Sequence, residues 1–159
     1  MKTVTNLFIR PLLLMAITSA QWSSDPSLPQ LMGTGVQSQV APTSDGGVYI
    51  AWLTDGNYHV YIQRLDAAGE AQLDESGLLV SDNNNASWIA VYHLNLAVDG
   101  NDNAIITTVD QRTGTWEVYA WKIAPDGSMP WGQDGVALTN SGVGNMSPRL
   151  TILPDNSAV

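Results

Sequence analysis

The 159-residue chain has no cysteine, only two histidines, a single phenylalanine and six basic residues. Without cysteine there is no disulfide framework and no thiolate metal site, and His59 and His93 leave little imidazole for metal ligation. Six Lys and Arg stand against 15 Asp and Glu, a net charge of −9, which argues against a sequence-independent grip on nucleic acid phosphates or anionic lipid. From about residue 40 onward no stretch keeps a 3.6-residue periodicity long enough for a helix. What is present, 44% hydrophobic and 13% charged residues, is the composition of a folded domain rather than of a disordered chain.

Residues 1–20, MKTVTNLFIRPLLLMAITSA, carry Lys2 and Arg10, then the apolar run 12–17, then the small residues Thr18, Ser19 and Ala20. That order predicts a secretory signal peptide, with Thr18 and Ala20 at the −3 and −1 positions of a cut before Gln21. The uncharged apolar stretch is about half of the roughly 20 residues that cross a bilayer. Cleavage also removes Lys2 and Arg10, so Arg64, Arg112, Lys122 and Arg149 face all fifteen acids and the mature charge becomes −11. The expectation is an acidic protein secreted to the periplasm, the cell surface or the medium, with no membrane span in the mature chain. With no cysteine there is also no lipoprotein-type thioether anchor.

Residues 21–35 read as a linker rich in Pro, Ser and Gly. Beyond it, short β-branched and aromatic runs alternate with Asp, Asn and Gly. The strand candidates are 48–53, 58–65, 77–81, 94–98, 103–109, 116–123, 135–139 and 149–153. Turns are expected at DGG (45–47), TDGN (54–57), DGND (99–102) and APDG (124–127), where Gly and Asn tolerate positive φ. The order of strands and turns repeats. VYIQRLDAAG (60–69) lies over VYAWKIAPDG (118–127) at an offset of 58, which also carries Gly77 onto Gly135, Leu73 onto Trp131 and Ser81 onto Thr139. Upstream, Asp45, Asp99 and Asp155 are aligned as the starts of equivalent turns. The predicted class is all-β, with four-stranded antiparallel blades like those of a β-propeller at 36–81 and 93–139 and a partial third at 149–159. A propeller closes with roughly four to eight blades, so this pattern predicts either a longer chain or a ring completed by oligomerisation.

The pattern DGGVYIAW, VYIQRLDAAG, EAQLDESG, LLVS and then DGNDNAIITTVDQRTGTWEVYAWKIAPDGSMPWGQDGVALT, within residues 40–159, resembles blade repeats of secreted bacterial β-propeller proteins. Many members of that family end in a secretion-sorting or immunoglobulin-like domain. The chain departs from the pattern where Leu73 replaces the Trp131-type residue, and where Lys122, Ile123 and Ala124 replace the Arg64, Leu65 and Asp66 step. The resemblance implies a fold and brings no shared catalytic residues.

Several residues are candidates for chemistry. Asp99, Asn101 and Asn103, with Asp110 farther on, offer oxygen ligands of the kind calcium takes. Ala104 stands where an EF-hand loop needs Gly, and a hairpin turn rich in Asx residues explains the same letters. Trp88, beside Asn84 and Asn85 in the loop between blades, suggests a carbohydrate subsite, with an indole face against a sugar ring and amides on its hydroxyls. Trp52, Trp116, Trp121 and Trp131 read as packing residues. His59 and His93 sit within apparent strands and lack a nucleophile elbow nearby. Glu70, Glu75 and Glu117 occupy positions typical of solvated carboxylates rather than of a glycosidase pair, and Asn85 and Asn145 begin Asn-x-Ser triplets that arise often by chance.

The function expected is an exported, non-catalytic binding or scaffold module for a protein or glycan ligand, with no cofactor unless calcium binds. The rival expectations are a lectin that closes its propeller by oligomerisation, and the amino-terminal part of a secreted propeller hydrolase.

Overall fold

The computed structural model describes residue 27 and residues 31–83 and 94–159. The expected signal peptide, Asn84, Asn85, Trp88 and His93 lie outside the described residues. Within them the chain is all β, two four-stranded antiparallel sheets with no helix. β1 (Val36–Pro42), β2 (Val48–Leu53), β3 (Val60–Leu65) and β4 (Leu78–Ser81) form the first sheet in that order. β5 (Asn95–Val98), β6 (Ala104–Asp110), β7 (Glu117–Ile123) and β8 (Val136–Ala137) form the second. Each sheet is a meander in which sequential strands pair. The segments richest in Val, Ile, Tyr and Trp, β2, β3 and β7, lie inside the sheets, where such side chains pack best.

Two sequence expectations need correction. The run 58–65 begins its strand only at Val60. His59 belongs to the preceding turn, where the Thr54 amide donates to the His59 carbonyl (2.9 Å) and Tyr58 takes a φ of 56°. The run 149–153 forms no strand of its own. It makes one arm of a short hairpin through the bridge Ile152↔Ala158, with the Thr151 amide donating to Val159 (2.8 Å) and the Leu153 amide to Ser157 (2.9 Å).

The register of the inner turns also differs from the sequence alignment. The Thr43 amide donates to Gly47, the Asp99 amide to Asn103 and the Leu153 amide to Ser157, each at 2.9 Å. The matched turns are therefore 43–47, 99–103 and 153–157. Asp45, Asn101 and Asp155 share the third position, whereas Asp99 occupies the first, with Thr43 and Leu153. Aligning on the letters Asp-Gly slips the second turn by two residues, because backbone pairing fixes a turn and the side chains only decorate it.

Strand register sorts the side chains onto faces. Tyr49, Ala51, Leu53, Val60 and Ile62 share one face of the first sheet, and Ala104, Ile106, Tyr119, Trp121 and Ile123 share one face of the second. These two sets, with Val80 and Leu94, form a single core in which no member is more than 4% exposed. Each large side chain so buried contributes about 1.5–3 kcal/mol. β1 runs close to β5 at one side of this packing.

β6 is buried at all seven positions. One face meets the first sheet, and the other, through Ile105 and Thr107, shares a cavity wall with Pro148, Leu150 and Val159 of the terminal hairpin region. Trp121 sits near the centre, fully buried, its indole N–H donating to the Gln133 carbonyl at 3.1 Å.

Gly77 and Gly135, equivalent in sequence, lie against the indoles of Trp52 and Trp121. A Cβ on Gly135 would fall 2.6 Å from the Trp121 ring and 2.7 Å from the Ala120 carbonyl, at a φ of +67°. Gly135→Ala is expected to cost about 2 kcal/mol by urea denaturation, and Gly114→Ala, at a similar φ but in open space, about 1 kcal/mol. Equal losses in the two variants would mean that the indole contact contributes nothing.

Candidate functional site

The inner turns at one end of the sheets concentrate acid and base. In the second turn Asp99 is 4% exposed. Its carboxylate accepts from the amides of Asn101 and Asn103 (both 2.9 Å), from the Asn103 side chain (3.0 Å) and from Lys122 Nζ (2.7 Å). Burial alone raises its pKa, but the Lys122 ammonium and the Asn103 and Asn101 donors outweigh that and hold it at about 2, below an ordinary 3.8. In the first turn the acid has moved to Asp45, which accepts from Thr43 Oγ1 (2.5 Å) and the Gly47 amide (3.1 Å) and pairs with Arg64. The Thr43 hydroxyl and the Gly47 amide, with help from Arg64, lower the Asp45 pKa. Arg64 and Lys122 occupy matched places on β3 and β7, so each third strand supplies a cation to its own turn. Desolvation pushes the buried phenol of Tyr49 up to about 12, and its O–H donates to the Asp102 carbonyl at 3.1 Å.

At the other end of the second sheet two more carboxylates are buried. Asp110 and Glu117 are each 1% exposed and pair across β6 and β7. Asp110 takes Arg112 Nε (3.0 Å) and Nη2 (2.6 Å), while the guanidinium lies 3.8 Å from the Tyr119 ring centre and donates to the Asp134 carbonyl at 2.7 Å. Glu117 accepts from Thr139 Oγ1, from the amides of Ser141 and Gly142 (both 3.0 Å) and from Asn145 Nδ2 (2.9 Å). The Thr139 hydroxyl is the leading cause that lowers its pKa, with the Gly142 and Ser141 amides and Asn145 adding to it. The solvated role read for Glu117 from alternation along the strand is therefore corrected. It pins loop 139–145 onto β7, and that loop sits too far along the chain for strand periodicity to show it.

Among the described residues, two clefts flank the sheets. One, of about 600 Å³, is open to solvent and lined by Leu31, Met32, Trp52, Tyr61, Glu75 and Ser76. Trp52 and Tyr61 stack at 5.9 Å with 19° between planes, and Trp52, at 5% exposure, is largely sealed. Glu75 is the one carboxylate lining this cleft among the described residues, so no carboxylate pair forms there. The other, about 230 Å³, lies between the outer face of the second sheet and the terminal hairpin, with Trp131, Leu138 and Arg149 around it. Thr107 Oγ1 is buried at its wall without a hydrogen-bond partner. Trp131, expected as a packing residue, is 38% exposed, while Trp52 and Trp121 are buried as expected.

Of the residues considered for calcium, Asp99, Asn101 and Asn103 lie in one turn, but Asp110 stands at the far end of β6, roughly 20 Å of strand away. The Asp99 oxygens are already taken by Lys122 and the turn amides, the arrangement of an Asx-rich turn. Among the described residues no cluster of three or more metal-ligating side chains converges, and no helix is long and apolar enough to cross a membrane. Asn84, Asn85 and Trp88, the carbohydrate candidates, lie outside the described residues. Glu70 is exposed on a turn as expected. The chain matches no protein-family model, no curated protein and no solved structure.

Two measurements follow. Asp99 is held below its ordinary pKa when folded, so its contribution to stability is full above about pH 4 and fades as pH falls towards 2. Lys122→Met leaves that buried carboxylate without its cation. Urea midpoints are expected to show a loss of about 2 kcal/mol at pH 7 that shrinks as Asp99 protonates, and a loss independent of pH would contradict the pairing. Glu117→Gln keeps the size of the side chain but cannot accept from all these donors, and loop 139–145 is expected to be cleaved by protease about tenfold faster.

Proposed function

We propose that the chain is an exported, non-catalytic binding or scaffold module whose four-stranded sheets are blades of a β-propeller. One observation carries the reading. Two consecutive meanders, each of four strands in sequence order, pack face to face through one core with their first strands, β1 and β5, side by side. Stacked units of that kind are what a propeller requires. The buried carboxylates support the non-catalytic part, since Asp99, Asp110 and Glu117 are each occupied by hydrogen bonds that hold the fold. The terminal hairpin, lying along the outer face of the second sheet, stands where a third blade would begin.

On this reading the ligand is a protein or a glycan, and a mature charge of −11 disfavours nucleic acid and anionic membranes. The test is to recover the native protein from periplasm and medium, sequence its amino terminus, image the particles by electron microscopy and assay them on a panel of glycoside and ester substrates. The expected outcome is a chain starting at Gln21, ring-shaped particles with a central channel, and no turnover. Retention in the cytoplasm with residues 1–20 intact would overturn export, particles without a ring would overturn the propeller, and turnover would overturn the non-catalytic reading.

A further inference from the structure

The three matched inner turns are joined to one another by side chains in a way that their individual sequences conceal. The fourth position of each turn has positive φ, with Gly46 at 86°, Asp102 at 58° and Asn156 at 66°. Left-handed backbone is unusual for a residue with a side chain, and Asp and Asn are among those that tolerate it best. In the second and third turns the Asx side chain reaches back to the second position of the turn before. Asp102 accepts from the Ser44 amide (2.7 Å) and the Ser44 hydroxyl (2.5 Å). Asn156 Oδ1 accepts from the Gly100 amide at 2.8 Å. The same two positions, fourth of one turn and second of its predecessor, are thus used twice along the chain.

We propose that this Asx-to-amide contact is a latch through which each unit engages the one before it and by which the stacking register of successive sheets is set. The left-handed conformation aims the side chain out of its own turn towards the neighbouring one, whereas the matched acids Asp45 and Asp155 bond within their own units, Asp45 to the Gly47 amide and Arg64 and Asp155 to the Ser157 amide. The chemistry of the second position fits the role. Gly100 packs so closely that a Cβ would fall 2.5 Å from Asn156 Oδ1. Ser44 keeps a side chain by turning its hydroxyl into a second donor to Asp102. Gly46, in the first turn, has no side chain with which to reach an earlier unit. Pro154 holds the second position of the third turn and has no N–H to donate. A neighbour stacked against that turn is therefore held without the latch.

The latch joins sheets of this chain directly and does not depend on whether they close into a ring. Amide hydrogen exchange of the full chain tests it. Asn156→Ala is expected to speed exchange at Gly100 about fivefold, the loss of one hydrogen bond, while the Asp102 amide, bonded to the Asp99 carbonyl within its own turn at 3.0 Å, keeps its rate. Asp102→Ala is expected to do the same at Ser44 and Asp102→Asn, which retains an acceptor, to restore most of the protection there. Unchanged exchange at Gly100 in Asn156→Ala, or equal acceleration at Gly100 and Asp102, overturns the latch. Asn156 lies on an exposed turn, so this variant reports even if Asp102→Ala fails to fold.

Discussion

One sheet face packs against the next, and the other features of the fold are arranged around that contact. Tyr49, Leu53 and Ile62 of the first sheet and Ile106, Trp121 and Ile123 of the second form one core, and neither sheet could bury its apolar face alone. A four-stranded meander has two faces, so burying one leaves the other to be dealt with. β6 shows the consequence, because all seven of its residues are buried only when something lies on both sides. The outer face of the second sheet is covered in part by the terminal hairpin, leaving Val136 and Leu138 more than 40% exposed.

Polar chemistry is gathered at the two ends of the strands, where backbone groups must find partners. At one end the turn acids bond their own turn amides and take a cation from the third strand, Arg64 for Asp45 and Lys122 for Asp99. At the other, Asp110 and Glu117 are buried side by side on paired strands, each supplied with separate donors. Charges so placed are costly to desolvate and persist only with full hydrogen bonding. Their benefit is positional, since they fix turns and loops that hydrophobic packing does not reach.

Much of the local structure was legible in the letters. Runs of Val, Ile, Tyr and Trp marked β2, β3, β6 and β7 within a few residues, and Gly, Asn and Asp marked the turns, because strand pattern and positive φ are local properties. Errors arose where partners lie far apart in sequence. Glu117 read as solvated because its donors come from residues 139–145. His59 is an exception of short range: alternation suggested strand, but the bond from the Thr54 amide to its carbonyl keeps it in the turn. Trp131 resembled a packing residue, yet the loop between β7 and β8 that carries it leaves it 38% exposed. For the cation site, Asp99 and Asp110 were near in number but stand at opposite ends of a strand.

Composition and alternation act residue by residue, and they were enough to specify an acidic, cysteine-free, all-β chain with two four-stranded units. Which turn positions are equivalent, which carboxylates are buried, and that Asp102 and Asn156 reach the preceding turns came only with the folded chain. The reach of Asp102 and Asn156 depends on the register in which successive units stack, a property of contacts 53 to 58 residues apart, whereas the buried carboxylates meet donors 2 to 28 residues away. No local pattern encodes such a distance, because the side chains that meet across it belong to different units of the fold.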